Sequence, residues 1–285
     1  MIERLARMRA RYPDAIAGAA AARNAIEITS ASSMLIIAAD HPARGALGSG
    51  ANPMAMADRG ELLFRLAAAL RRPDVHGVLG TADILEDLLL LGVLNNKLVF
   101  GSMNRGGLAG SAFELDDRFT GYTAAAIENM NFTGGKMLLR IDPTDPGTVR
   151  TMESCAHAID ALAERKRIAL VEPFWSARTD RGVTNDLAAD AVIRSIAVAS
   201  GLGSTSAHTW LKLPVVPEME RVLAASTLPV LLLGGEAQQD RDSMFERWQK
   251  ALSYPTVRGL VVGRNLLYPP DDDVDGAIDA AVRVL

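Results

Sequence analysis

The chain has 285 residues, a formal net charge of -4 and 49% apolar residues. This composition is typical of a globular protein and excludes a disordered chain or a coiled coil. The mild acidity, without a basic block, argues against nucleic acid as the main partner. The length fits one large α/β barrel or two small domains.

The single cysteine, Cys155, excludes an intramolecular disulfide and fits a cytoplasmic protein. We interpret it as a structural residue of a predicted helix. One cysteine and four histidines make a Cys/His zinc site improbable, and we predict no metal and no cofactor. No apolar run reaches the ~18 residues of a membrane helix. Residues Met1 to Arg11 lack the apolar core of a signal peptide, so no membrane association is expected.

Short runs rich in valine, isoleucine and leucine alternate with longer amphipathic stretches. Two helices are predicted first, at Ile2–Arg11 and Asp14–Asn24, where they would cap the bottom of a barrel. Eight strands are then predicted, at Met34–Ala39, Val75–Gly80, Lys97–Gly101, Lys136–Ile141, Ile168–Val171, Thr209–Leu213, Val230–Leu233 and Gly259–Val262. Their nearly continuous apolarity indicates strands that are covered on both faces.

Between the strands, apolar residues recur at helical spacing. Helices are predicted at Asp58–Arg71, Gly147–Arg165, Asp186–Ser200, Arg241–Leu252 and Val274–Leu285. Eight strands alternating with helices predict a (β/α)8 TIM barrel, a single domain over residues 1–285 with residues 1–33 as an N-terminal helical extension. A doubly wound sheet is the alternative, but no Gly-x-Gly-x-x-Gly follows an early strand.

Two connections are unusually long, His41–Ala57 after strand 1 and Ser102–Phe119 after strand 3. Long loops in compact domains are often functional. Both follow strands, so in a barrel both lie at the C-terminal face, where barrel enzymes have their active sites.

Lys212 is the most informative residue near a strand end, because it lies between Leu211 and Leu213. Burying a lysine in a strand is costly. Such a residue either extends past the strand to solvent or a structural carboxylate, or points into the barrel for chemistry. A neutral lysine amine can attack a carbonyl and form a Schiff base. Lys97 and Lys136 open their predicted strands, and we assign both to the opposite, stabilising face.

Other polar residues are predicted to converge on the same mouth. Asp40 and Glu172 end strands 1 and 5, where they could orient Lys212, transfer protons or simply cap the next element. Arg140 could pair with Glu172, lower the lysine pKa, bind a ligand anion or form a plain salt bridge. His41 could serve in acid–base chemistry or lie solvated in its loop.

Glycines follow strands 7 and 8, at Gly234, Gly235 and Gly263, and Arg264 comes next. Barrels often bind phosphate at these two loops through backbone N–H groups, and arginine adds a fork-shaped donor. Three more arginines are placed on loops of this face and could contact a second anion, although loop arginines are usually solvated; they are Arg44, Arg105 and Arg178.

These strand ends resemble those of class I aldolases of the DeoC/LacD type, which are (β/α)8 Schiff-base enzymes. The matching stretches are Ala38-Ala39-Asp40-His41, Leu170-Val171-Glu172-Pro173, Leu211-Lys212-Leu213-Pro214 and Gly259-Leu260-Val261-Val262-Gly263-Arg264-Asn265. The resemblance covers roughly residues 34–268 in order. The strand-6 lysine and the strand-8 Gly-Arg-Asn are its most specific parts.

The resemblance implies that Lys212 forms a Schiff base, with Asp40 and Glu172 beside it. Arg140 stands where members of the tagatose-bisphosphate branch tend to carry a lysine, and we expect it as a further catalytic residue. The glycine loops with Arg264 and His41 would bind a sugar phosphate, and a homo-oligomer is expected. The sequence looks closest to an actinobacterial subgroup found with inositol-catabolism genes. That suggests cleavage of 2-deoxy-5-keto-gluconate 6-phosphate to dihydroxyacetone phosphate and malonate semialdehyde. The alternatives are another barrel enzyme, an isomerase or metal-dependent hydrolase, and a non-catalytic sugar-phosphate-binding barrel.

Overall fold

A computed structural model describes residues 1–28, 33–104, 108–180, 182–235 and 241–285. The strands are β1 (Met34–Ala38), β2 (Gly77–Gly80), β3 (Leu98–Ser102), β4 (Gly134–Ile141), β5 (Ile168–Thr179), β6 (Gly182–Asn185), β7 (Thr209–Pro214), β8 (Val230–Leu233) and β9 (Val257–Val262). The helices are α1 (Ile2–Arg11), α2 (Ala15–Ala22), α3 (Arg59–Arg71), α4 (Ala82–Leu90), α5 (Ala124–Asn129), α6 (Gly147–Glu164), α7 (Ala189–Ser200), α8 (Met219–Leu223), α9 (Arg241–Leu252), α10 (Arg264–Leu267) and α11 (Val274–Arg283). A short 3-10 helix spans His41–Arg44.

Eight strands form a closed parallel sheet in the order β1, β2, β3, β4, β5, β7, β8, β9, and β9 pairs back with β1. Helices lie between these strands along the chain. The fold is therefore the predicted (β/α)8 barrel. The short strand β6 lies outside the ring and pairs antiparallel with the end of β5. This hairpin extends β5 well beyond its predicted end at Val171.

The strands have two apolar faces because alternate residues point to opposite sides. In β1, Met34, Ile36 and Ala38 belong to a small cluster inside the barrel, whereas Leu35 and Ile37 belong to the large cluster between strands and helices. Both faces are buried, which explains the continuous apolar runs of the sequence.

The prediction that the first two helices cap the barrel bottom was wrong. Helix α2 packs against α4, and Arg9 of α1 forms an ion pair with Glu86 of α4, so both helices lie on the flank. The bottom is closed by the chain that follows them. There Ile26 and Ile28 pack against the inner cluster, which buries apolar surface that the helices leave open.

Within the described part of the chain, no helix combines the length and the apolarity needed to cross a membrane.

Candidate active site

Charged side chains replace apolar ones at the upper end of the barrel interior. Asp40, Lys136, Glu172 and Lys212 each expose 7% of their surface or less. They come from β1, β4, β5 and β7, or from the residues directly after them. We call these four residues the lysine–carboxylate cluster. Charged residues are rarely this buried unless they are paired, so their mutual contacts decide their role.

The two carboxylates and two amines are directly connected. The Nζ of Lys136 lies 3.0 Å from Oδ2 of Asp40 and 2.7 Å from Oε2 of Glu172. The Nζ of Lys212 lies 2.9 Å from Oε1 of Glu172. Glu172 therefore bridges the two lysines. Among the residues that the structure describes, Lys136 contacts two carboxylates and Lys212 contacts one, so their environments differ.

The assignment of Lys136 to the opposite face of the barrel was wrong. Strand β4 begins at Gly134, so Lys136 is its third residue, and it pairs in register with Ser102, the last residue of β3. The strands of a barrel are staggered, so the start of one strand can lie level with the end of its neighbour. The long side chain of Lys136 then reaches both carboxylates. The alternation of Lys136, Leu138 and Arg140 on one face of β4 was the signal that could have identified it.

The charges of the cluster stabilise one another. Burial alone would raise the pKa of Glu172, but its electrostatic interactions with Lys136 and Lys212 outweigh that effect and lower the pKa to about 2. The pKa of Asp40 is likewise held well below its usual range despite burial, chiefly by Lys136. Burial disfavours the charged form of Lys136, yet the two carboxylates outweigh it and raise its pKa. Lys136 is therefore an ammonium at neutral pH.

His41 lies beside the cluster with its Nδ1 3.9 Å from Oδ1 of Asp40. This nitrogen is buried and has no hydrogen-bond partner within the described residues. Burial, helped by the cations around the ring, lowers the pKa of His41 to about 3 in spite of the Asp40 carboxylate. The imidazole is therefore neutral at physiological pH, so it can donate or accept one hydrogen bond without adding charge.

Arg140 does not pair with Glu172, as the sequence allowed. Its Nη1 lies 2.6 Å from Oε1 of Glu114, and its Nη2 donates to the main-chain oxygen of Glu114 at 3.3 Å. Glu114 belongs to the long loop after β3. The sequence could not indicate this partner, because the loop has no regular structure from which its position could be inferred. Arg140 thus anchors that loop over the mouth, four residues beyond Lys136 on the same face of β4.

The structure brings the predicted phosphate-binding residues together on one side of the mouth. Asn265 links the ends of β8 and β9, since its Nδ2 donates to the main-chain oxygens of Gly234 at 2.8 Å and Gly235 at 3.5 Å. At Gly263 a Cβ atom would lie 2.4 Å from the main-chain oxygen of Ala38, so only glycine fits there. Arg264 is close enough to His41 to lower its pKa.

The three loop arginines differ in their surroundings. Arg178 forms an ion pair with Asp145 at 2.8 Å, whereas Arg44 lies 3.6 Å from Glu114 at the mouth. Arg105 lies outside the described residues. Among the residues that the structure describes, no three His, Cys, Asp or Glu side chains are grouped so that they could hold a metal ion.

The model of the family described as Cgl0159-like matches residues 32–282. The chain belongs to the Cgl0159-like family. A crystal structure of Cgl0159 from Corynebacterium glutamicum is 51% identical, covers 99% of this chain and 96% of its own, and superposes with a TM-score of 0.96. No curated protein matched this sequence.

This Cgl0159-like barrel also resembles two solved aldolases. A Schiff-base-forming fructose-1,6-bisphosphate aldolase is 17% identical with a TM-score of 0.65, and the match covers 95% of this chain and all of the other. An archaeal fructose 1,6-bisphosphate aldolase is also 17% identical, with a TM-score of 0.64 and coverage of 89% and 93%. At such identities the likeness shows that the fold is shared.

Proposed function

We propose that this protein is a class I aldolase that forms and cleaves a carbon–carbon bond in a ketose phosphate or keto-deoxy sugar acid phosphate through a Schiff base on Lys212. The observation that carries the proposal is the lysine–carboxylate cluster at the C-terminal end of the barrel, where barrel enzymes have their active sites. A structural ion pair would need one lysine and one carboxylate. The cluster instead buries two lysines and two carboxylates, all four of which lose their hydration, and a chemical task explains why they are retained.

The two lysines suit different tasks. Lys136 is held as an ammonium by two carboxylates, so it has a proton to donate. Lys212 contacts one carboxylate among the described residues, and the stretch Leu211-Lys212-Leu213-Pro214 resembles the one that carries the Schiff-base lysine in class I aldolases. A neutral amine is the nucleophile that attacks a carbonyl. We therefore assign the nucleophile to Lys212 and the general acid to Lys136.

The reaction balances with these groups. The Nζ of Lys212 attacks the ketone carbon, a proton shifts from nitrogen to oxygen, and a carbinolamine forms. Lys136 donates a proton to the carbinolamine hydroxyl, which leaves as water, and an iminium remains on Lys212. The neutral Lys136 amine then removes the proton from the hydroxyl of the departing carbon. The carbon–carbon bond breaks, its electron pair moves to the iminium, and an aldehyde and an enamine result. Protonation of the enamine and addition of water release the ketone.

The remaining predicted residues position the substrate in this scheme. Asp40 holds Lys136 and orients it toward the reacting centre. Gly234, Gly235, Gly263 and Arg264 would hold the phosphate of the ketone half, and the neutral His41 would donate a hydrogen bond to a substrate oxygen. Arg140, expected among the catalytic residues, acts here through Glu114 and the loop that carries it.

The substrate that we propose is 2-deoxy-5-keto-gluconate 6-phosphate, cleaved to dihydroxyacetone phosphate and malonate semialdehyde, as part of inositol catabolism. Its support is the resemblance of the strand-end motifs to the DeoC/LacD type and its inositol-associated subgroup. The same resemblance leads us to expect a cytoplasmic homo-oligomer.

Borohydride trapping tests the Schiff base. The protein is incubated with dihydroxyacetone phosphate, reduced and digested, and the mass addition is mapped. We expect the adduct on Lys212, its loss in Lys212→Met, and slower formation at the same residue in Lys136→Met. An adduct on Lys136 would reverse the two roles. If no ketose phosphate is trapped and Lys212→Met keeps full activity, the aldolase proposal is wrong, and loss of activity with a chelator would then favour a metal-dependent hydrolase.

A further inference from the structure

We infer that Arg44 binds a carboxylate group on the aldehyde half of the substrate. This inference rests on the proposed aldolase function and specifies the substrate class of that same site. It is argued from the place of Arg44 in the mouth, from its contacts and from the charge around it.

The guanidinium of Arg44 approaches Glu114 and Arg140, which lie across the mouth from the glycine loops. In the closed sheet, β4 and β9 are separated by three strands in either direction, so Arg140 of β4 stands opposite Gly263 and Arg264, which follow β9. Arg44 ends the 3-10 helix after β1, and its guanidinium approaches Glu114, the partner of Arg140. A substrate whose phosphate occupies the glycine loops therefore extends toward Arg44.

The height of Arg44, Glu114 and Arg140 above the lysine–carboxylate cluster matches the end of a sugar substrate that is remote from its carbonyl carbon. Arg140 follows Lys136 by four residues on the same face of β4, which places their Cα atoms about 13 Å apart. Glu114 is as deeply buried as Arg140, and Arg44, whose side chain is 26% exposed, lies beyond Glu114 and nearer to solvent. An anion at Arg44 is thus several bonds from a carbonyl carbon held at Lys212.

The guanidinium of Arg44 has N–H donors that a ligand could use. Its side chain makes no hydrogen bond to any described residue, and its Nε is buried without a partner. Its nearest anion is Oε1 of Glu114, at 3.6 Å, which is beyond hydrogen-bond distance. The side chain remains 26% exposed, whereas that of Arg140 is 5% exposed and already engaged by Glu114. By contrast, the Arg178 guanidinium donates twice to one oxygen of Asp145.

The charge around Arg44 favours a carboxylate over a phosphate. A guanidinium presents two parallel N–H groups that match the two oxygens of a carboxylate. A phosphate dianion would gain from several cations, but the neighbouring Arg140 is neutralised by Glu114. The carboxylate of Glu114 would also repel the second negative charge. Glu114 and Arg140 are therefore positioning residues that hold Arg44 at the mouth, and Arg44 is the binding residue.

The test compares acceptor aldehydes in the aldol addition of dihydroxyacetone phosphate. Malonate semialdehyde carries a carboxylate, propionaldehyde has the same length without charge, and glyceraldehyde 3-phosphate carries a phosphate. In Arg44→Met we expect kcat/KM for malonate semialdehyde to fall about 10- to 100-fold, the usual effect of losing hydrogen bonds to a charged group. The value for propionaldehyde should change less than about threefold. The kcat/KM of Arg44→Lys for malonate semialdehyde should lie between those of the wild type and Arg44→Met, because lysine keeps the charge but lacks the two parallel N–H groups of the guanidinium.

Arg178→Met is the matched control, since it removes an arginine from the same face that already has a partner. It should leave the three kcat/KM values unchanged. Equal losses for malonate semialdehyde and propionaldehyde in Arg44→Met would overturn the inference, and so would a wild-type preference for glyceraldehyde 3-phosphate. Borohydride trapping of dihydroxyacetone phosphate distinguishes a failure of the Arg44 inference from a failure of the aldolase proposal. An adduct on Lys212 in wild type and Arg44→Met leaves the aldolase proposal standing, whereas no adduct in wild type overturns both.

Discussion

Replacing Lys136 by methionine tests whether the lysine–carboxylate cluster is held together by charge. Methionine has a similar length and no charge, so the substitution removes an amine that contacts both Asp40 and Glu172. Asp40 then keeps a 3.5 Å hydrogen bond from Ser102 and the 3.9 Å approach of neutral His41, and within the described part of the chain it has no other cation at ion-pair distance. Breaking a buried ion pair from one side costs about 3–5 kcal/mol, because the remaining charge is left uncompensated.

The expected loss is large enough to measure in two ways. Urea unfolding at pH 8 should show a free energy of unfolding lower by about 3–5 kcal/mol. A chain of this size has an unfolding entropy of about 0.6 kcal/mol/K, so Tm should fall by roughly 5–8 °C. Lys250→Met is the matched control, since Lys250 is exposed at the end of α9, and it should change stability by less than about 0.5 kcal/mol.

The pH dependence gives the sharper test. In the wild type the pKa values of Asp40 and Glu172 are lowered on folding, so their stabilisation is present above pH ~4 and is lost as the pH falls through the folded values. Without Lys136 the carboxylates take up protons more easily in the folded state. The difference in stability between wild type and Lys136→Met should therefore be smaller at pH 4.5 than at pH 8. A loss below about 1 kcal/mol at pH 8, or a difference that grows on acidification, would refute the charge argument.

Three further predictions concern other parts of the barrel. Folding lowers the pKa of His41 to about 3, so the unfolded chain binds more protons than the folded one between pH ~3 and ~6.5. The stability of the wild type should therefore rise with pH in this range. His41→Gln should flatten that slope, measured by urea unfolding at several pH values. Gly259→Ala should lower Tm sharply, since its Cβ would lie 2.0 Å from the main-chain oxygen of Met34, whereas Gly18→Ala, with open space in helix α2, should leave Tm unchanged or slightly raised. Cys155 is fully buried, and burial raises the pKa of its thiol, so iodoacetamide should label it in urea and not in the native protein; rapid native labelling would contradict this packing.

The resemblance and the strand-end pattern predicted much of the candidate site. Asp40, Glu172 and Lys212 were singled out because each ends or interrupts an apolar strand, and all three meet in the cluster. Parallel strands of one barrel direct their C-terminal ends to one mouth, so the order of strands along the chain was enough to bring them together.

The sequence did not predict the positions of Lys136 and Glu114 in the site. The position of a residue along its strand does not fix its height in the barrel, because height also depends on the stagger between neighbouring strands. The height of Lys136 is set by its pairing with Ser102 of β3. The partner of Arg140 depends on how the loop after β3 folds back over the mouth. That loop has no periodic pattern of apolar residues from which its conformation could be predicted.

The sequence by itself determined the (β/α)8 barrel, because continuous apolar strands alternating with amphipathic helices can bury their surfaces in few other ways. It also predicted the end of the barrel at which Asp40, Glu172 and Lys212 come together. Only the tertiary structure decided which lysine has two carboxylates, which arginine keeps its donors free at the mouth and which chain segment closes the bottom. Those outcomes depend on distances between residues far apart in the chain, and such distances are set by strand register and loop docking.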